Sequence, residues 1–372
     1  MQLRGSKQAV VAGGAVLAAL ALAACSSSSS SSSSSSAPGA TGSSTASGGS
    51  TTGASSASGT INASGSTFQT NFQQAAIQAF KASNPKITVN YGGGGSGKGR
   101  TDLAGGTVLF AGSDSPIPAS EKANFNGKTV LYFPVQVGPI AMAYNVSGVS
   151  DLKLDATVLA GIFQGTIKTW DDPAIKALNS GASLPSTPIT IVVRSDSSGT
   201  TANFSQFLVD AAGSAWKLGT AGTLTFPSSA KAANGGSGVA QAIKSTDGAI
   251  GYVDDSTAKA AGLSTASVKN KSGAFVAPSS ASAAAAASQV TPAADLTFLT
   301  ADEAGAGSYP ITYQSWDLVY AKQPNANDVA LLKAYLGYLL GAGQQLLTPL
   351  GLAPLPSGID SKAVAQLSQI TS

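Results

Sequence analysis

Apolar positions recur along this chain in two periods, and the alternation between them predicts its elements. Phe68, Phe72, Ala76, Ala79 and Phe80 fall at helical spacing, so residues 67–82 are expected to form an amphipathic helix, stopped by Asn84-Pro85. Residues 87–91 read as a strand running into the glycine-rich stretch 92–99. A short helix over about 99–104 precedes 108–114, an apolar strand that ends in an acid. Residues 129–134 and 137–145 read as two further strands, and 155–163 and 173–178 as helices. Within 188–194, Ile189, Ile191 and Val193 alternate with Thr190 and Val192, the period of a strand. Residues 200–212 put Phe204, Phe207, Leu208 and Ala211 on one helical face. Strands are expected at 248–253 and 311–320, a helix by propensity alone at 283–287, and a strongly apolar helix at 328–340 capped by Asn327. Strands alternating with helices argue for an α/β fold. In such sheets ligands sit beyond the carboxyl ends of strands, where helices begin.

The first sixty residues follow different rules. Arg4 and Lys7 precede an apolar stretch, 10–24, shorter than the roughly 20 residues of a membrane span. It reads as the apolar region of a secretory signal over 1–24. Its end, Leu22-Ala23-Ala24-Cys25, resembles a bacterial lipobox, and Cys25 is the only cysteine of the chain. The resemblance implies cleavage before Cys25 and lipidation there; a short anchor, or an ordinary signal with a chance cysteine, stays open. Residues 25–60, dominated by Ser, Gly, Thr and Ala, cannot bury enough apolar surface to offset chain entropy and are expected to be a flexible tether. A coil of that length reaches about 30 Å. Beyond it lie about 310 residues, long for one core and comfortable for two lobes.

Charge adds little. The 21 basic residues exceed the 18 acidic ones by three, and two of the basic ones leave with the signal. No basic run is interleaved with aromatics, so no nucleic-acid partner is indicated. The chain has no histidine, which removes the common zinc sites and histidine general bases; no cofactor is called for.

Three segments look built to hold one tetrahedral oxyanion: 64–68, 92–99 with Ser96, and Arg194 to Thr200. Each lies at a strand-to-helix or loop-to-helix junction and is rich in Gly, Ser and Thr. Together they offer backbone N–H groups, hydroxyls and one guanidinium. The glycine run nearly fits a nucleotide P-loop, but Gly99 stands where a magnesium-holding Ser or Thr belongs. Arg194 ends an apolar strand, where its fork can engage two oxygens of an anion or pair with Asp196. Ser198, Gly199 and Thr200 open the next helix with its partial positive charge. Asp114 discriminates. An ionised carboxylate only accepts hydrogen bonds, so it repels sulfate and pairs with the proton that phosphate keeps at neutral pH.

With these residues, the chain after Ile61 resembles the phosphate-binding protein of the high-affinity phosphate ABC transporter, the PstS type. Ser64 to Phe68, Val89-Asn90-Tyr91 with Gly95-Ser96, Phe110 to Pro116, and Arg194 to Thr200 resemble its phosphate loops. Trp170-Asp171-Asp172, Gly248 to Tyr252 and Tyr309 to Thr312 resemble further landmarks in the expected order, whereas 277–308 matches poorly. The resemblance implies phosphate contacts from Thr67, Phe68 (through its N–H), Ser96, Asp114, Arg194, Ser198, Gly199 and Thr200. It also implies a two-lobed, type II periplasmic-binding-protein fold with hinge crossovers and a ligand cleft between lobes. Residues 61–136 and 308–372 would form one lobe and 137–307 the other. The implied partners are inorganic phosphate, the permease and ATPase of a phosphate ABC transporter, and the membrane through the lipid anchor, on its extracytoplasmic face. A binder of another oxyanion such as sulfate, molybdate or a phosphonate, a surface phosphate sensor or adhesin, and a hydrolase using Ser198 remain as rivals.

Overall fold

A computed structural model describes residues 57–372; the signal, Cys25 and nearly all of the tether lie outside the described residues. Strand β1 (Gly59–Gly65), helix α1 (Thr70–Ser83) and strand β2 (Ile87–Gly92) form a parallel βαβ unit, in register from Gly59 beside Ile87 to Ser64 beside Gly92. Helix α1 starts three residues later than its apolar period suggests, because 67–69 form a turn at the carboxyl end of β1. Helix α2 (Ser96–Ala104) starts three residues earlier than expected, inside the glycine run. Strand β3 (Phe110–Ser113), buried at every position, pairs with β1 on its other side.

The two strands expected at 129–134 and 137–145 are one. Strand β4 (Val130–Asn145) runs 16 residues and is buried along nearly its whole length. Proline cannot donate to a ladder. The structure absorbs Pro134 at a bulge. A return strand, Thr312–Tyr320, pairs antiparallel with β4, with Ser315 opposite Gln136 and Trp316 opposite Pro134, so that Val135 is the extra residue.

This pair organises the molecule. The sheet runs in the order β2, β1, β3, return strand, β4, then Ala249–Asp254, Thr190–Arg194 and Lys231–Ala233. The first part of β4 pairs with the return strand and its last part, from Ile140, with Ala249–Asp254. One strand thus belongs to both halves of a curled sheet. Strands β1 and β3 on one side, and Thr190–Arg194 and Ala249–Asp254 on the other, are parallel within their half. Their carboxyl ends, Gly65, Ser113, Arg194 and Asp254, carry the residues described below.

The sequence landmarks have structural reasons. Trp170 is fully buried, and its indole donates to the Gly248 carbonyl at 3.0 Å. Tyr309 Oη donates to the Ile140 carbonyl at 2.9 Å where the two crossing strands meet. Helix Ala326–Leu340 is capped by Asn325, whose side chain accepts from the Asp328 N–H, and not by Asn327, whose amide donates to the Ser58 carbonyl. The poorly matching Ala/Ser segment forms helix Ser280–Ala287, fixed by a reciprocal capping box of Ser279 and Ser282. The chain end folds back through paired backbone bonds between Val137 and Ala353.

Candidate functional site: an acid ringed by hydroxyls

Asp114 follows β3 directly and is 2 % exposed. Its Oδ2 accepts from Ser66 Oγ at 2.7 Å and Ser96 Oγ at 3.3 Å, and its Oδ1 from Ser315 Oγ at 2.5 Å. The backbone is held as firmly. Its N–H donates to Ser96 Oγ, and its carbonyl accepts from Asn203 Nδ2 at 2.6 Å and Gln314 Nε2 at 3.2 Å. Burial pushes the carboxyl up to about 6, against the hydroxyls of Ser315, Ser66 and Ser96 and the charge of Arg194.

Arg194 sits at the carboxyl end of its strand with its Nε donating to Asp196 Oδ1 at 2.8 Å, and its Nη2 bonds Asp196 Oδ2. Its Nη1 faces the Thr200 hydroxyl at 3.4 Å. Burial raises the Asp196 carboxyl, but Arg194 and the Gly235 N–H outweigh that and hold it below the usual carboxylate range. The structural pairing of Arg194 with Asp196 is therefore present. The site holds one guanidinium against the carboxylates of Asp196 and Asp114, so net positive charge is not its means of binding.

Helix Gly199–Ala212 aims its first turn at Asp114. Ser198 is the cap, accepting from the Thr201 N–H at 3.2 Å. A Cβ on Gly199 would lie 2.6 Å from both Asp114 Cβ and Ser96 Oγ, so only glycine permits this approach. The unpaired N–H groups of that turn and the helix dipole favour an anion there.

All eight residues proposed from the sequence thus gather at the facing strand ends. Ser96, Asp114, Arg194, Ser198, Gly199 and Thr200 are linked by the contacts above. The Phe68 N–H donates to Ser66 Oγ at 3.1 Å, on the same turn. Thr67 stands between the Gly93 loop and the start of helix Gly235–Lys244, its Cγ2 3.6 Å from where a Gly235 Cβ would be. Lys98 and Arg100 serve structure: Lys98 pairs with Asp102, and buried Arg100 forks onto Glu121 at 2.6 and 3.0 Å.

Sequence reasoning missed Ser315, Gln314 and Asn203, which fix Asp114, and Gly235–Gly236, which start a third helix facing the site. The signal for the first two was a Gln-Ser pair set between two aromatics, Tyr313 and Trp316, inside a strand. For the last it was a second glycine run, Gly235-Gly236-Ser237-Gly238, opening an amphipathic helix.

Two halves of one sheet, joined by crossing strands and meeting at a cluster of hydroxyls, a guanidinium and a helix start, are the architecture of a solute-binding protein. The PBP superfamily domain model matches residues 50–342. The chain is 38% identical over 313 residues to phosphate-binding protein PstS 3 of Mycobacterium leprae, covering 82% of this chain and 85% of that one. It is 35% identical over 323 residues to phosphate-binding protein PstS 2 of Mycobacterium tuberculosis, covering 84% and 87%. The high-affinity periplasmic phosphate-binding protein PfluDING, solved with phosphate, superimposes with a TM-score of 0.69 at 25% identity, covering 83% of this chain and 94% of that one. The chain belongs to the PstS-type phosphate-binding proteins.

Proposed function

We propose that this protein captures inorganic phosphate between two lobes and hands it to the permease and ATPase of a phosphate ABC transporter. It binds and releases its ligand and catalyses no reaction. The observation that carries this reading is the setting of Asp114: a buried carboxylate, met by three serine hydroxyls, beside a guanidinium and a helix N-terminus. Donors surround the place where an anion would sit, and one acceptor waits for a proton. Monohydrogen phosphate matches that pattern, whereas sulfate has no proton to offer Asp114.

In this reading Thr67, Phe68, Ser96, Arg194, Ser198, Gly199 and Thr200 donate to the phosphate oxygens and Asp114 accepts from P–OH. The lobes are residues 61–136 with 308–372, and 137–307; they close about β4 and the entry to the return strand as hinges. Closure excludes water, so hydrogen bonds in a low-dielectric setting supply the affinity. A lipid on Cys25 and the 25–60 tether would hold the protein at the outer face of the cell membrane within reach of its permease.

The test is equilibrium binding of radiolabelled phosphate to the soluble chain beginning near residue 57, with a large excess of sulfate present. Retained phosphate supports the reading. Displacement by sulfate, or no binding, defeats it.

A further inference from the structure

Tyr313 lies on the return strand, opposite Gly138 of β4. Its ring packs on that of Phe68 with centroids 3.9 Å apart and planes inclined by 31°. Gly138 makes room for this pair: a Cβ there would come within 2.7 Å of Phe68 Cζ. The ring is thus clamped, and the direction of its hydroxyl with it. Tyr313 is 0% exposed, and its Oη is buried with no partner at full hydrogen-bond geometry among the described residues, the Thr200 hydroxyl being the one group near enough to approach a bond to it. A tyrosine hydroxyl buried in a protein ordinarily finds a partner.

The groups that act on this hydroxyl are those of the site. They are the carboxylates of Asp114 and Asp254, the guanidinium of Arg194 and the hydroxyl of Thr200, drawn from both halves of the sheet. Burial first, and then Asp114 and Asp254, hold the phenol well above its usual range, so it remains a neutral O–H donor at any working pH. The stacking partner, Phe68, belongs to the turn whose N–H the site uses.

We infer that the Tyr313 hydroxyl is a further donor to the bound anion, carried on the hinge strand itself and completed only when ligand is present. The inference rests on the phosphate reading of the cleft. Its chemistry differs from that of Asp114. A neutral donor serves every tetrahedral oxyanion alike, so Tyr313 contributes affinity without selectivity. Asp114 contributes selectivity by accepting.

Tyr313→Phe in the full chain, purified in detergent, separates the outcomes, because the phenyl ring keeps its packing on Phe68. Calorimetry should show phosphate binding weakened by about 10-fold or more, the scale of a hydrogen bond to a charged group. The phosphate-to-sulfate preference should be unchanged. The melting temperature without phosphate should stay the same or rise, since an unpartnered buried hydroxyl has gone, while the gain on adding phosphate shrinks. A dissociation constant within twofold of the parent overturns the inference. So does a variant that fails to fold or melts lower without phosphate, since the hydroxyl would then serve structure. If the parent chain itself binds no phosphate, the underlying reading fails, and that result is distinct from the others.

Discussion

The Gly97 N–H donates to the Ser197 carbonyl at 3.0 Å, joining two segments one hundred residues apart on opposite halves of the sheet. This bond runs beside the Asp114 site, with the first turn of α2 seated against the loop that follows Arg194, and in the proposed capture mechanism it belongs to the closed form. Gly97 is required by the closeness of Ser197, whose side chain occupies the space a Cβ would need.

Gly97→Ala should therefore oppose closure while leaving each half intact. Alanine is the better helix former, so the unliganded protein should melt no lower than the parent. Phosphate binding should weaken by about 10-fold or more, because the competent form becomes the minor one. Small-angle scattering with saturating phosphate checks the cause: an open envelope is expected where the parent compacts. Parent-like affinity would show that the Gly97 contact does not gate binding.

Arg194→Ala should weaken phosphate binding by roughly 2–5 kcal/mol, the scale for truncating one member of a buried charge pair. The loss has two parts, since Asp196 is left without its cation and turns repulsive toward the anion. Arg194→Ala with Asp196→Asn should recover part of it in isothermal titration. A double variant no better than the single one would place Asp196 outside the electrostatics of the site.

Selectivity should depend on pH through Asp114, whose carboxyl burial lifts to about 6. Above that pH the ionised carboxyl can only accept and should disfavour sulfate; below it, the protonated carboxyl can donate to sulfate. Sulfate competition should therefore grow as pH falls from 7.5 to 5, by on the order of tenfold per unit above 6 and levelling off below it, where the carboxyl is already protonated. Asp114→Asn should admit sulfate at every pH. Ser315→Ala removes the bond to Oδ1 and should move the onset of competition to higher pH, because a carboxylate with fewer donors protonates more readily. Competition binding across pH with the three proteins reads all of this.

Asp317, on the return strand, is wholly buried with only the amides of Gln73 and Gln69 to stabilise its charge. Burial raises it to about 7. The native state thus holds a proton that the unfolded chain releases near pH 4, and its stabilising effect, full below that point, is lost as pH rises through 7. Asp114 acts in the same sense up to about 6. Without phosphate the protein should lose stability between pH 4 and 7. Asp317→Asn, a neutral mimic of the protonated acid, should exceed the parent at pH 8 by on the order of 1–3 kcal/mol and match it only below about pH 4. Urea unfolding at the two pH values checks this; a difference independent of pH would mean that Asp317 titrates as an ordinary carboxylate.

Much of this molecule could be read from residue order alone. The periods of Phe68 to Phe80, Ile189 to Val193 and Phe204 to Ala211 are local, and so is the helix start at Ser198. The elements they predict formed to within a few residues. Anion-holding loops could be recognised for the same reason: glycines, hydroxyls and a helix start act within a handful of residues. What depended on distant segments stayed hidden. Residues 129–145 read as two strands, and only pairing with the return strand shows them to be one, with a bulge that accommodates Pro134. Ser315, Gln314 and Asn203 look ordinary until the fold brings them to Asp114, up to 201 residues away along the chain. Tyr313 looks like one more core aromatic until its hydroxyl is found without a partner. Hydrophobic period and capping are short-range and survive in one dimension, whereas the satisfaction of a buried polar atom is settled only by what the folded chain places beside it.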